Sequence, residues 1–420
     1  MKKIFLSLLI IALFACEKDE DLISTEKTPL WRPNPVAYIS ENIVKLKWSG
    51  GFVLYAEKFP GDYVEPDYFE IYISKDRYPD FVKLVKLKND YNHEYTVTDL
   101  TPGKPVYFYV ASIKKGYEKL ITDTIMAIPD KETESVVIYN KDKGGSLATV
   151  SRAHNINKIA YVDKSYYWKT GENCCNDVSI LISNTDGSEE KLLDIKCYEP
   201  DWSPDDKKIA FRTEKEEVNT PNGMPSQIAF YDCESKVITK LTSGSAQNYS
   251  PVFSENGELI LYQSSKGVYD YNSTNIWLYD LKTSEHRQLT DLNATALLSF
   301  GKPSWIDNES FLFNAKGSNY INNIYKSSIN SKTIDKVFDS MWNDYCPVMS
   351  PDKKNIVFFS DRSGNMEVWL HNIDTGRFKQ LTGFSDETYI DEWWSRIEWI
   401  DNKTVAYAMN NRKYVIQNIE

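Results

Sequence analysis

The sequence predicts an all-β protein in which an N-terminal β-sandwich precedes a six-bladed β-propeller. Three observations carry that reading. A four-strand pattern recurs through residues 150–420, with anchor residues Trp202, Phe253, Trp305, Met349 and Trp399 spaced 51, 52, 44 and 50 positions apart. The composition suits strands, with 28 Tyr and 11 Trp and no Ala-rich helical run. A lone strand at about 136–140 stands ahead of the first copy, and the last copy ends one strand short.

The chain opens with MKKIFLSLLIIALFA, a basic start and an apolar run too short to span a bilayer with ordinary flanks, so residues 1–15 read as a signal peptide. Cys16 follows Leu13-Phe14-Ala15. The segment resembles a bacterial lipobox, which implies that Cys16 becomes the lipidated first residue and that acyl chains anchor the protein in a membrane. The acidic stretch 16–29 reads as a tether, and its Lys followed by acidic residues resembles the surface-export signal of Bacteroidetes-type lipoproteins. That likeness implies an outer-membrane lipoprotein, on the periplasmic side or at the cell surface. Loss of Lys2 and Lys3 takes the formal charge from −11 to −13. A surface this acidic argues against nucleic-acid binding, which needs a basic footprint.

Residues 30–129 form the predicted sandwich. The runs Ile43–Trp48, Tyr68–Ile73 and Val106–Ala111 alternate apolar with polar, and Thr101-Pro102-Gly103 marks a turn. Trp48 is expected in the core. Trp48 together with Leu100-Thr101-Pro102-Gly103 and the following Tyr107 resembles a fibronectin type III domain, most often a spacer or adhesive module.

The propeller is expected over 130–420. Copies begin near 150, 198, 249, 301, 345 and 394, which makes six. A sheet of four strands cannot bury both faces alone, and radial stacking solves this while leaving few free edges. The strand at 136–140 is expected to complete the last blade. The repeat Trp202-Ser203-Pro204-Asp205 with Ile209-Ala210-Phe211, then Ile228 to Asp232, then Leu241-Thr242, resembles the TolB-like (PD40) propeller family. The 301–339 copy departs from it, with Ile306-Asp307-Asn308 in the turn and Val337-Phe338-Asp339 in place of Leu-Thr. The N-terminal domain typical of TolB is replaced here by the fibronectin-like one.

Strand alternation sorts the loops by face. Turns between first and second strands, and between third and fourth, are tight and share one side. Loops between second and third strands, and between blades, are long and aromatic and share the other. An elaborated face on a plain scaffold is the expected binding surface. Its candidates are Tyr166, Tyr167, Trp168, Tyr269, Tyr271, Trp342 and Trp393, with Asp386, Asp391 and Glu392 as polar partners. Such aromatics suit a protein partner or the apolar face of a glycan, although the same rings can simply pack over the channel mouth. Trp202, Trp305 and Trp399 hold a fixed repeat position and are expected to pack between blades.

Catalytic signals are sparse. His93, His154, His286 and His371 share no spacing, and no metalloprotease, nucleophile-elbow or P-loop pattern occurs. The expectation is a non-catalytic envelope protein that docks a protein or glycan. The rival is a glycan-active enzyme, a lyase or hydrolase using carboxylates at the channel mouth. No cofactor is expected. Ca²⁺ is the ion the acidic loops would suit, but they lack the spaced oxygens of an established motif. Cys174, Cys175, Cys197, Cys233 and Cys346 are odd in number and read as disulfide partners or buried small hydrophobes.

Overall fold

The computed structural model describes residues 34–49, 53–54, 63–75, 78–90, 93–115, 119–140, 147–163, 179–213, 225–267, 274–292, 301–317, 320–383, 390, 396–409 and 413–420. Its described part is all β, as expected. Two compact units emerge. The larger takes in Ala127–Glu420 with Tyr38–Val44 and Thr98–Lys104, and the smaller includes Lys45–Val97 and Pro105–Met126.

The N-terminal sheets form an apparent sandwich. One sheet joins Pro35–Ser40, Ile43–Trp48 and Glu94–Val97; the other is built on Tyr68–Ser74 and Val106–Ile113. Their inward residues alternate as predicted, and Val44, Leu46, Phe69, Ile71, Phe108 and Val110 are buried. Trp48 packs edge-on against Phe69 at 5.6 Å between ring centroids and stacks with His93. Its place is the core, not a ligand platform.

Six sheets follow in a propeller-like arrangement. The first two are continuous, because Lys191–Trp202 is both the outermost strand of blade 1 and the innermost strand of blade 2. Blades 3, 4 and 5 are separate four-stranded sheets. Blade 6 is closed as the sequence predicts: Ser135–Asn140 pairs antiparallel with Lys413–Asn418, from Ser135 opposite Gln417 to Asn140 opposite Lys413.

Each recurring motif has a local cause. In the Ser-Pro-Asp turn, Ser203 Oγ donates to Asp205 Oδ1 at 2.6 Å and accepts the Lys208 N–H at 2.9 Å. Ser254 and Ser350 do the same for Leu259 and Asn355. The Leu-Thr motif pins the third strand. Thr242, Thr290 and Thr382 accept the N–H of Ile228, Ile276 and Val368 through Oγ1. They donate in turn to the side chains of Gln227, Asn275 and Glu367. The apolar triplet Ile209-Ala210-Phe211 is fully buried between blades.

One feature escaped the sequence. The innermost strands of blades 1, 2, 3 and 5 carry a β-bulge, with pairing shifted after Ala148, Tyr198, Tyr249 and Tyr345. The residue after each, namely Thr149, Glu199, Ser250 and Cys346, adopts a left-handed backbone with φ of 49°, 56°, 50° and 49°. None is glycine, so each costs on the order of 1 kcal/mol and persists because the ring fixes it.

Candidate functional site

The pairing register defines equivalent positions around the ring. Ser151, Asp201, Val252, Ser304, Val348 and Glu398 each face the second strand of their own blade at the same step. Every one of them also reaches the innermost strand of the following blade. The Ser151 hydroxyl accepts the Trp202 N–H at 3.2 Å, and Asp201 Oδ2 accepts the Phe253 N–H at 2.8 Å. The Ser304 hydroxyl donates to the Pro347 carbonyl, and Glu398 Oε2 accepts the Arg152 N–H at 2.9 Å. A valine side chain cannot do this. At Val252 and Val348 the main-chain carbonyl instead accepts an indole N–H, from Trp305 Nε1 at 3.2 Å and Trp399 Nε1 at 3.0 Å. The last link, from Glu398 to Arg152, joins blade 6 to blade 1 and closes the circle.

Inside this circle lies a cavity of about 440 Å³. Its walls run from the innermost strands to the tight turns, from Asp201, Lys302 and Arg396 out to Pro204, Ser254 and Pro351. Trp202, Phe253, Trp305, Met349 and Trp399 supply the apolar surface. Lys302 and Arg396 stand three residues before their anchors, where the bulged blades carry Thr149, Glu199, Ser250 and Cys346.

Charge is concentrated here. Lys302 Nζ is ion-paired with Asp201 Oδ1, and Glu199 Oε2 accepts the Ser250 N–H at 2.5 Å, with Arg212 Nε 4.0 Å away. Arg396 Nη1 donates to the Pro200 carbonyl. Burial pushes the Glu398 carboxyl above the usual carboxylate range, against the pull of Lys302. Burial, and then the neighbouring Arg396 charge, lower the Lys302 ammonium. The sequence reading singled out none of these channel residues, because charged residues scattered among strands carry no motif. The available signal was positional: the residues one and three places before each anchor.

No protein-family model matches the chain. The Tol-Pal system protein TolB of Francisella tularensis subsp. mediasiatica is 25% identical over 340 residues, covering 78% of this chain and 72% of that protein. Its counterpart in Francisella tularensis subsp. tularensis is 24% identical over the same length, covering 78% and 71%. The architecture is TolB-like. Among solved structures, TolB from Acinetobacter baumannii matches at 18% identity with a TM-score of 0.44, covering 76% of this chain and 77% of that one. An auxiliary nutrient binding protein from Bacteroides thetaiotaomicron matches at 12% identity with a TM-score of 0.44, covering 93% and 98%.

The long-loop face of this TolB-like propeller is described only in part. Tyr166, Tyr167, Trp168, Tyr269, Tyr271, Asp386, Asp391, Glu392 and Trp393 lie outside the described residues, as does Cys16. Trp342 is described, and it is half-buried with the Arg362 guanidinium 5.5 Å from its ring. That contact gives Trp342 a packing role on the long-loop side. Arg362 is itself buried, ion-paired to Asp344 at 2.5 Å, and also sits over Phe358, Trp369 and Phe378 at 4.6–5.1 Å. Close by, Asn343 donates twice to Asp361 at 2.8 Å, and Asn322 Nδ2 donates to Asn343 at 3.0 Å.

The four His stay apart in role. His371 is packed between Phe338 and Phe378, and burial with the Arg362 charge brings it down to about 4. Among the described residues, no three His, Cys, Asp or Glu side chains are grouped to hold a metal ion. Cys197 and Cys346 are buried thiols, and neither they nor Cys233 form a disulfide with another described residue.

Proposed function

We propose that the chain is a non-catalytic envelope lipoprotein, held in the outer membrane through Cys16, whose propeller docks a protein or glycan through its long-loop face. The observation that supports this most is the state of the channel carboxylates. Asp201, Glu199 and Glu398 each accept a backbone N–H from the adjacent blade. Groups that hold blades together are poorly free to move protons for a substrate. The TolB relatives are Tol-Pal system proteins, which favours an envelope-associated protein as the partner class. The glycan-active alternative draws on Glu398, a channel carboxyl that burial pushes upward.

Two experiments test the reading. The purified protein, immobilised and exposed to solubilised envelope and to a glycan array, is expected to retain a defined partner. Alanine at Tyr269 and Trp393 together should weaken that capture about tenfold or more. Retention of neither class, or capture indifferent to both substitutions, would sink the docking proposal. Separately, globomycin is expected to leave the precursor unprocessed at Cys16, and normal processing in its presence would dismiss the lipid anchor.

A further inference from the structure

Four cations line the channel cavity, and among the described residues two are paired with carboxylates, Lys353 with Glu255 at 3.0 Å on the tight turns and Lys302 deeper in the channel. Lys302 holds Asp201. Arg396, 6% exposed, gives Nη1 to the Pro200 carbonyl and leaves Nη2 buried without a partner. Arg152 Nη1 and the Trp202 indole N–H are buried and unpartnered in the same wall. A guanidinium cannot shed its proton, and an uncompensated buried cation is costly. Glu199, Asp201 and Glu398 attract Arg396 through their charge, but among the described residues none of them hydrogen-bonds its guanidinium. Asp201 is committed to Lys302 and the Phe253 N–H, Glu199 to the Ser250 N–H, and Glu398 to the Arg152 N–H. Burial, and after it the charge of Arg396, lower the Lys302 ammonium, so the two cations repel each other.

We propose that the channel is a carboxylate-binding site, with an acid group seated on Arg396 beside Lys302 and its carbon skeleton against the Trp and Phe anchors. The cavity, about 440 Å³, is within the usual range for a small-ligand site. Its wall pairs donors at the base with apolar rings toward the tight turns, which suits an acidic sugar or an acidic side chain entering from that face. Charge-assisted bonds to a guanidinium are among the strongest available for such a group. The cavity runs out to the tight turns, the face opposite the long loops, while its Arg396 seat follows Trp393 of the docking face by three residues.

Calorimetric titration of the purified protein at constant ionic strength tests this with three probes. Acetate supplies the bare carboxylate, D-glucuronate the acidic sugar and N-acetyl-glutamate the acidic side chain. At least one is expected to bind saturably, and the tighter of the two larger probes identifies the source. Arg396→Gln should weaken it about tenfold or more, Lys302→Met should weaken it less, and the exposed Arg377→Gln should not change it. Absence of saturable binding by all three, or an unchanged affinity in Arg396→Gln, overturns the proposal. If Arg396→Gln does not fold, a crystal structure of the wild-type protein with the bound probe decides instead. Its carboxylate must lie within hydrogen-bonding distance of Arg396, and any other location overturns the assignment. Envelope capture is read separately, so failure of either proposal leaves the other standing.

Discussion

Replacing Arg362 with methionine is expected to destabilise the propeller by about 3–5 kcal/mol, measured as a fall in the urea midpoint with an unchanged slope. The size follows from what the substitution strands. Asp344 is fully buried, its Oδ1 meets Arg362 Nη2 at 2.5 Å, and its Oδ2 has no partner. Removing the guanidinium leaves a carboxylate in an apolar pocket, and it removes the cation that Trp342, Phe358, Trp369 and Phe378 surround. Methionine restores part of the volume, so most of the loss should be electrostatic. A second substitution, Asp344→Asn, should then recover about 2 kcal/mol in the Arg362→Met background while costing stability on its own. Additive losses would show that the pair is not coupled.

Glu367→Gln is expected to do the reverse and raise stability. Glu367 is 1% exposed, and burial pushes its carboxyl up to about 8. In the unfolded chain a glutamate releases its proton near 4.5, while the folded protein retains it until about 8. Across that window the unfolded state binds fewer protons, so wild-type stability falls as pH rises from about 4.5 to 8. Below it both states are protonated and nothing is lost. Glutamine has no proton to lose and keeps the acceptor for Thr382. The repeat already carries out this substitution elsewhere, since Gln227 accepts from Thr242 at 2.9 Å and donates to the Gly244 carbonyl at 3.0 Å. The gain should be on the order of 3 kcal/mol near pH 8 and vanish near pH 4. Thermal unfolding followed from pH 4 to 8 checks it, and parallel pH profiles for the two proteins would refute it.

These two cases show what a sequence discloses. The anchor Trp, the Ser-Pro-Asp turn and the Leu-Thr pair recur because each solves a local hydrogen-bonding problem, and recurrence made the blades and their closure legible. Arg362 and Asp344 occur once, 18 positions apart, and only the packing of neighbouring strands brings them together. The channel was hidden for a different reason. Arg152, which the register aligns with Trp202, puts a cation at the anchor position of blade 1, where the other blades carry an aromatic ring or Met349. Trp342, proposed from its loop as a binding residue, is also held by Arg362, a contact that no loop composition announces.

The strand that completes blade 6 also bears on how the chain folds. Gln417 Nε2 bonds Thr133 Oγ1 across 284 positions, and Ser135–Asn140 finds no place in the ring until Lys413–Asn418 is available. Contacts of that separation are slow to form. A chain delivered across a membrane from its N-terminus would therefore carry an unsatisfied edge strand until nearly its last residue emerged. For a chain so delivered, assembly of the ring would be timed by the end of transport, and the interval before it is when the protein would most need protection from aggregation.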